Sequence, residues 1–133
     1  YLGDYKSAVV DYKRFVELVP DRWEGRTDYA WVLIQTKDYA EALRIVDEGL
    51  TQHPDNPWLL SMRATILHEK GDIGAALVAA QKANEAVLGI TEAMWLGAYP
   101  GNPPSVAAEG IRTLRDSSAK NLEIIERAAR GEK

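Results

Sequence analysis

Apolar residues recur along the first two thirds of this chain at steps of three and four, the spacing that gathers them on one side of an α-helix. Tyr5, Ala8, Val9, Tyr12, Phe15 and Val16 form one such stripe, and Tyr39, Ala42, Leu43, Val46 and Leu50 form another. Ala30, Leu33 and Ile34 mark a helix over Trp23–Thr36, and Leu60, Ala64 and Leu67 mark one over Pro57–Lys70. The stripes themselves repeat. Aspartate at 4, 38 and 72, alanine at 8, 42 and 76, and proline at 20 and 54 each recur at a spacing of 34 residues. An internal period of that size signals a stack of similar supersecondary units. Each unit reads as two antiparallel helices, so the predicted fold class is all-α, an α-α superhelix (solenoid) of helix-turn-helix repeats.

The polar residues between the stripes explain where each helix starts and stops. Asp38 is placed to cap the second helix of its pair, and Glu41 three residues later would complete a capping box. Asn56 before Pro57 is a cap followed by proline at the first helical position, where the missing N–H is harmless. Gly3 and Gly71 fall where paired helices turn, and both can take a positive φ. Lys37 stands at the same place in the middle unit, where that conformation costs a side chain on the order of 1 kcal/mol. Alanines 8, 30, 42, 64 and 76 are small where helices must approach to about 8–10 Å.

These residues resemble the tetratricopeptide repeat, a 34-residue helix-turn-helix unit with a W-x2-L-G-x2-Y…A-x3-F…P signature. The middle unit carries Tyr29-Ala30-x2-Leu33, Ala42-x3-Val46 and Pro54, and the next carries Ala64-x2-Leu67 and Ala76-x3-Ala80. The first segment has Ala8-x3-Tyr12 and Pro20. The resemblance covers residues 1–88 as about two and a half repeats, the first truncated, and departs from the signature at Arg26 and Leu88. Its phase implies that Tyr1 and Leu2 are the tail of a first helix. Asp4–Val19 would then expose an apolar face for an upstream segment or another chain to cover. The chain opens on Tyr1 rather than methionine, and a longer repeat protein is expected.

After Ala86 the register fades. Thr91–Tyr99 still reads as the start of a further helix, with Trp95, Leu96 and Ala98 as apolar mass, before Pro100-Gly101-Asn102-Pro103-Pro104 ends it. Residues 89–104 are thus a degenerate helix with a Pro/Gly-rich connector, and 105–133 an amphipathic C-terminal helix. Ser105 is its expected cap, and Val106, Ala107, Ile111, Leu114, Ala119, Leu122, Ile125 and Ala129 its apolar face. Terminal repeats need a capping element with a polar outer surface, which this helix suits; folding back into the concave groove and packing on a partner are the alternatives.

Composition narrows the function classes. With 46% hydrophobic and 27% charged residues, the 133-residue chain is an ordinary globular domain. A net charge of −4 offers no basic field for a phosphate backbone, so nucleic acid is not an expected partner. The absence of cysteine removes disulfides, thiolate metal sites and cysteine nucleophiles, and is neutral on compartment. No apolar run approaches the ~20 residues that span a bilayer, and no signal peptide opens the chain. The compartment is left open, with the cytoplasm favoured.

No catalytic or metal-binding constellation, and no cofactor motif, is present. His53 reads as a solvated loop histidine, and His68-Glu69 lacks the second histidine of a zinc-protease helix. Gly71-Asp72-Ile73-Gly74 follows no strand and is a connector, not a phosphate cradle. Ser117-Ser118 read as helix-surface serines, and the charges of the final helix as a mixed solvated face. The family resemblance implies instead that the first helices of successive repeats line a concave groove for a peptide or partner helix. Carried onto this chain, that groove comprises Thr27, Trp31, Ile34 and Gln35, then Ser61, Met62, Thr65 and His68, with Trp58 at its entrance. Trp31 is the expected anchor, the alternative being that Trp31 and Trp58 pack against neighbouring helices. Members of the family that bind acidic chaperone C-termini use basic groove residues, which Thr27, Trp31, Ser61, Met62 and Thr65 do not supply. A non-catalytic protein-binding scaffold is therefore expected. An oligomerisation module, forming a homo-oligomer through the N-terminal face or the C-terminal helix, and the regulatory part of a larger enzyme are the alternatives.

Overall fold

Each capping signal read from the sequence meets a helix start, with one exception. The computed structural model describes residues 2–131. Among these the chain forms α1 (Leu2–Leu18), α2 (Trp23–Gln35), α3 (Tyr39–Gln52), α4 (Pro57–Lys70), α5 (Ile73–Leu88), α6 (Glu92–Ala98) and α7 (Ala107–Ala129), with a 3-10 turn over Pro104–Val106. The Asn56 side chain accepts from the Leu59 N–H at 3.0 Å with Pro57 following. Asp38 and Asp72 accept from the Glu41 and Ala75 N–H groups, each at 3.4 Å. Thr91 does the same for Met94 at 3.2 Å. The exception is Ser105, which lies inside the 3-10 turn, while Val106 precedes α7 without a side-chain cap. The turn after Pro103 takes over the start of the helix, so no hydroxyl is needed there.

Two further expectations are corrected. Asp38 caps α3, but the reciprocal half of the box is absent because the Glu41 carboxylate is held by the Arg44 guanidinium, at 2.6 and 2.8 Å. Gly3 is not a turn residue; it continues α1, having no helix end of its own to terminate. Leu2 likewise belongs to α1, and Tyr1 lies outside the described residues. Lys37 does take the left-handed conformation, with φ 62°, alone among the described non-glycine residues.

Stacking follows the 34-residue period. Helices α1, α2, α3, α4 and α5 each pack on the next, and α2 also meets α4. Val16, Tyr29, Leu33, Ile45, Val46, Leu59 and Ile66 form the core of the first four helices. Ala30, Ala42, Ala64 and Ala76 are fully buried where helices cross. Arg26, which departs from the repeat signature, is buried too, only 4% exposed. Its guanidinium donates to the Pro20 carbonyl at 2.8 and 3.0 Å, to the Ile45 carbonyl at 3.0 Å and to Glu48 at 3.1 Å, tying α2 to the end of α1 and to α3.

At the C-terminal end, α7 returns along α5 in the antiparallel sense. Arg115 donates to the Leu88 carbonyl at the end of α5, at 3.1 Å, while Ile125 sits with Ala76, Ala79 and Ala80 near its start. The buried face of α7 runs through Ala107, Ile111, Leu114, Ser118, Leu122 and Ile125; Val106, Ala119 and Ala129, expected on that face, are exposed, Val106 within the 3-10 turn. Short α6 wedges Trp95 against Val87, Ile90, Ala107 and Ile111. Trp95 lies so close to Gly110 that a β-carbon there would overlap the indole.

Candidate binding groove

Because α7 follows α5 rather than closing down on α4, a cavity of about 430 Å³ is left between α2, α4, α5 and α7. Helix α2 contributes Thr27, Asp28 and Trp31, and α4 contributes Pro57, Trp58, Ser61, Met62 and Thr65. The floor is Ala80, Ala83 and Val87 of α5 with Ile90, and the far wall is Leu114, Ser117, Ser118 and Asn121 of α7. Six of the nine residues assigned from sequence thus line one space: Thr27, Trp31, Trp58, Ser61, Met62 and Thr65. Ile34, Gln35 and His68 do not. Ile34 lies about 60° around α2 from Trp31 at 100° per residue, and joins the core with Val16 and Ile45. Gln35 and His68 lie about one turn beyond Trp31 and Thr65, past the end of the cavity.

The two tryptophans play different parts. Trp58 is stacked on Trp23 with centroids 4.9 Å apart and planes 18° apart. Its indole N–H donates to the Tyr99 hydroxyl at 3.0 Å, and Tyr99 in turn lies 4.9 Å from Trp95. This ladder fixes the side chain at one end of the cavity. Trp31 meets the Tyr5 ring edge-to-face with centroids 5.9 Å apart, and remains 49% exposed.

The polar lining is almost free of charge. Thr27 and Thr65 turn their hydroxyls back to the carbonyls of Glu24 and Ser61, at 3.0 and 3.1 Å. Asp28 is the one ionisable lining residue. Burial, and then the negative charge of Glu24 one turn away, raise its carboxyl above the ordinary value of 3.8. The sequence reading missed Asp28 and the walls supplied by α5 and α7. The alanines at 76, 80 and 83 were the available sign that a second helix would lie close along α5.

No grouping of three or more histidine, aspartate or glutamate side chains able to hold a metal ion occurs among the described residues. None of the helices among them is long and apolar enough to cross a membrane. His53 is half-buried at the end of α3, with Nε2 3.2 Å from the Asp21 carbonyl oxygen. It is a clasp between two helix-pair connections.

Antiparallel helix pairs stacked at a fixed period over one continuous core define an α-solenoid. Within that class, a family model described as tetratricopeptide repeat matches residues 2–66, and over that stretch the chain is similar to tetratricopeptide-repeat proteins. Among solved structures it is similar to the MamA RS-1 ArsTM double mutant, with a TM-score of 0.53 and 18% identity over 96% of this chain and 69% of that one. That likeness is one of fold. No curated protein matches the sequence. Tetratricopeptide repeats are general protein-interaction modules, and proteins of this family and fold are typically non-catalytic scaffolds.

Proposed function

We propose that this protein is a non-catalytic scaffold that captures a peptide segment, extended or as one turn of a partner helix, in the cavity between α2, α4, α5 and α7. The observation that carries this reading is the half-exposed Trp31 beside an apolar floor of alanines and Val87. A half-exposed large aromatic next to an apolar pocket is the kind of anchor that dominates binding energy. Size supports a short segment: an α-helix about 10 Å across would fill about 430 Å³ with about 5 Å of its length, roughly one turn. The lining offers a nucleic acid no cation, and an enzyme no nucleophile–base pair.

The test is selection of random heptapeptides on the immobilised full chain, in parallel with Trp31→Ala. Trp31 is half-exposed and outside the buried core, so the variant should keep its helical circular dichroism and lose the selected peptides. Equal capture by both proteins would defeat the groove assignment.

A second reading rests on α1, where Val10, Phe15 and Leu18 are 66%, 44% and 69% exposed. These side chains would join this chain to a second copy or to a neighbouring repeat. Sedimentation of the wild type against Leu18→Lys distinguishes it: a concentration-dependent mass that the substitution abolishes supports self-association, and a constant monomer mass rules it out.

A further inference from the structure

The charge of the groove restricts its occupant. Asp28 and Trp31 are three residues apart on α2, so their side chains are neighbours on one helix face. Both reach the same cavity, whose other lining residues are neutral. Glu24, one turn before Asp28, adds negative potential from the same side and pairs with the exposed Arg22 at 3.6 Å. Among the described residues the Asp28 carboxylate, exposed at the rim of the cavity, makes no hydrogen bond or ion pair, and partial burial, then the charge of Glu24, pushes it towards its neutral form. An unmatched carboxylate beside an indole suits a cation, which gains from the charge and from the aromatic ring together. An acidic segment would instead set a like charge against Asp28 and Glu24.

Resting on the groove reading above, we infer that the occupant is an apolar peptide segment with one lysine or arginine, its cationic head between the Asp28 carboxylate and the Trp31 indole. The apolar neighbours of that residue enter over Ala80, Ala83 and Val87, and Ser117, Ser118 and Asn121 on α7 face them with neutral hydrogen-bonding groups. The groove thus selects by charge in the sense opposite to a basic clamp for acidic tails.

The experiment uses heptapeptides selected from a random library on the full wild-type chain and lost on Trp31→Ala. The expected pool is enriched in lysine or arginine among apolar residues. The best peptide, synthesised and titrated, should bind Asp28→Asn about two- to fivefold more weakly than wild type. Replacing its basic residue by norleucine should weaken wild-type binding by a similar factor, with no further loss on Asp28→Asn. A Trp31-dependent pool without basic enrichment, or equal affinity of wild type and Asp28→Asn for the basic peptide, overturns the charge selectivity while leaving the groove in place. If no Trp31-dependent peptide is selected, the groove reading fails and takes this inference with it.

Discussion

Lys37 and Gly71 offer an internal comparison that few proteins provide, because the same helix ending occurs twice, 34 residues apart. At the first, the Lys37 N–H donates to the Ile34 carbonyl at 3.0 Å and the Asp38 N–H to Leu33 at 2.8 Å. At the second, the Gly71 N–H donates to His68 and the Asp72 N–H to Leu67, both at 3.0 Å. The left-handed residue has φ 62° in one and 93° in the other. A side chain in that region costs about 1–2 kcal/mol, whereas glycine avoids the clash but gives up about 0.5–1 kcal/mol of unfolded-chain entropy. Lys37→Gly should therefore be neutral or stabilise by up to about 1 kcal/mol, a rise in Tm of about 3–5 °C for a chain of this size. Gly71→Ala should do the reverse by about 1 kcal/mol. A β-carbon at Gly71 would meet nothing within 4 Å, so its cost is one of backbone conformation alone. Thermal and urea unfolding followed by circular dichroism reads both. A fall in Tm of several degrees for Lys37→Gly, or no change for Gly71→Ala, would refute the reasoning.

Three other substitutions probe separate parts of the structure. Arg26→Met keeps the apolar stem but orphans the Pro20 and Ile45 carbonyls bonded to the guanidinium; urea unfolding should show a loss of about 2–4 kcal/mol. Gly110→Ala places a methyl group into the Trp95 ring, and should cost about 1–3 kcal/mol by overpacking, with a change in tryptophan emission as α6 is displaced. Asp28→Asn should raise Tm slightly at neutral pH. The raised carboxyl of Asp28 favours folding while protonated, below the unfolded value of 3.8, and that contribution is lost as pH rises through the higher folded value. The advantage of asparagine should accordingly vanish in acid and grow towards neutrality, as unfolding across a pH series would show.

The repeats were legible because three of their helix starts carry a local signal: Asp38, Asn56 and Asp72 act through backbone groups three residues away, and the buried alanines keep a fixed spacing. Arg26 was not, since the signature there records an apolar side chain. What the position requires is length to cross between helices and donors for two carbonyls. The route of α7 was open because an amphipathic helix shows which face it buries but not against what. Ser118 holds a place on that face that its polarity argued against, and Ala119 lost the place that its apolarity suggested. The same gap explains the groove. Thr27, Trp31, Ser61, Met62 and Thr65 came from the resemblance to tetratricopeptide repeats, which places a groove along α2 and α4, whereas the walls from α5 and α7 depend on a long-range return. Asp28 was passed over because a lone carboxylate on a helix ordinarily faces water; it is exposed here too, but at the rim of a cavity that the return of α7 creates.

The central claim is that the space between α2, α4, α5 and α7 is where a partner segment sits. Titrating a selected heptapeptide into isotope-labelled protein and following backbone amide shifts tests it most directly. Shifts gathered at Thr27, Trp31, Thr65, Ala83 and Ser118, and absent from the Trp31→Ala variant, are the predicted result. Shifts confined to α1 around Val10 and Leu18, or to the convex side of α5 around Val78, would contradict it.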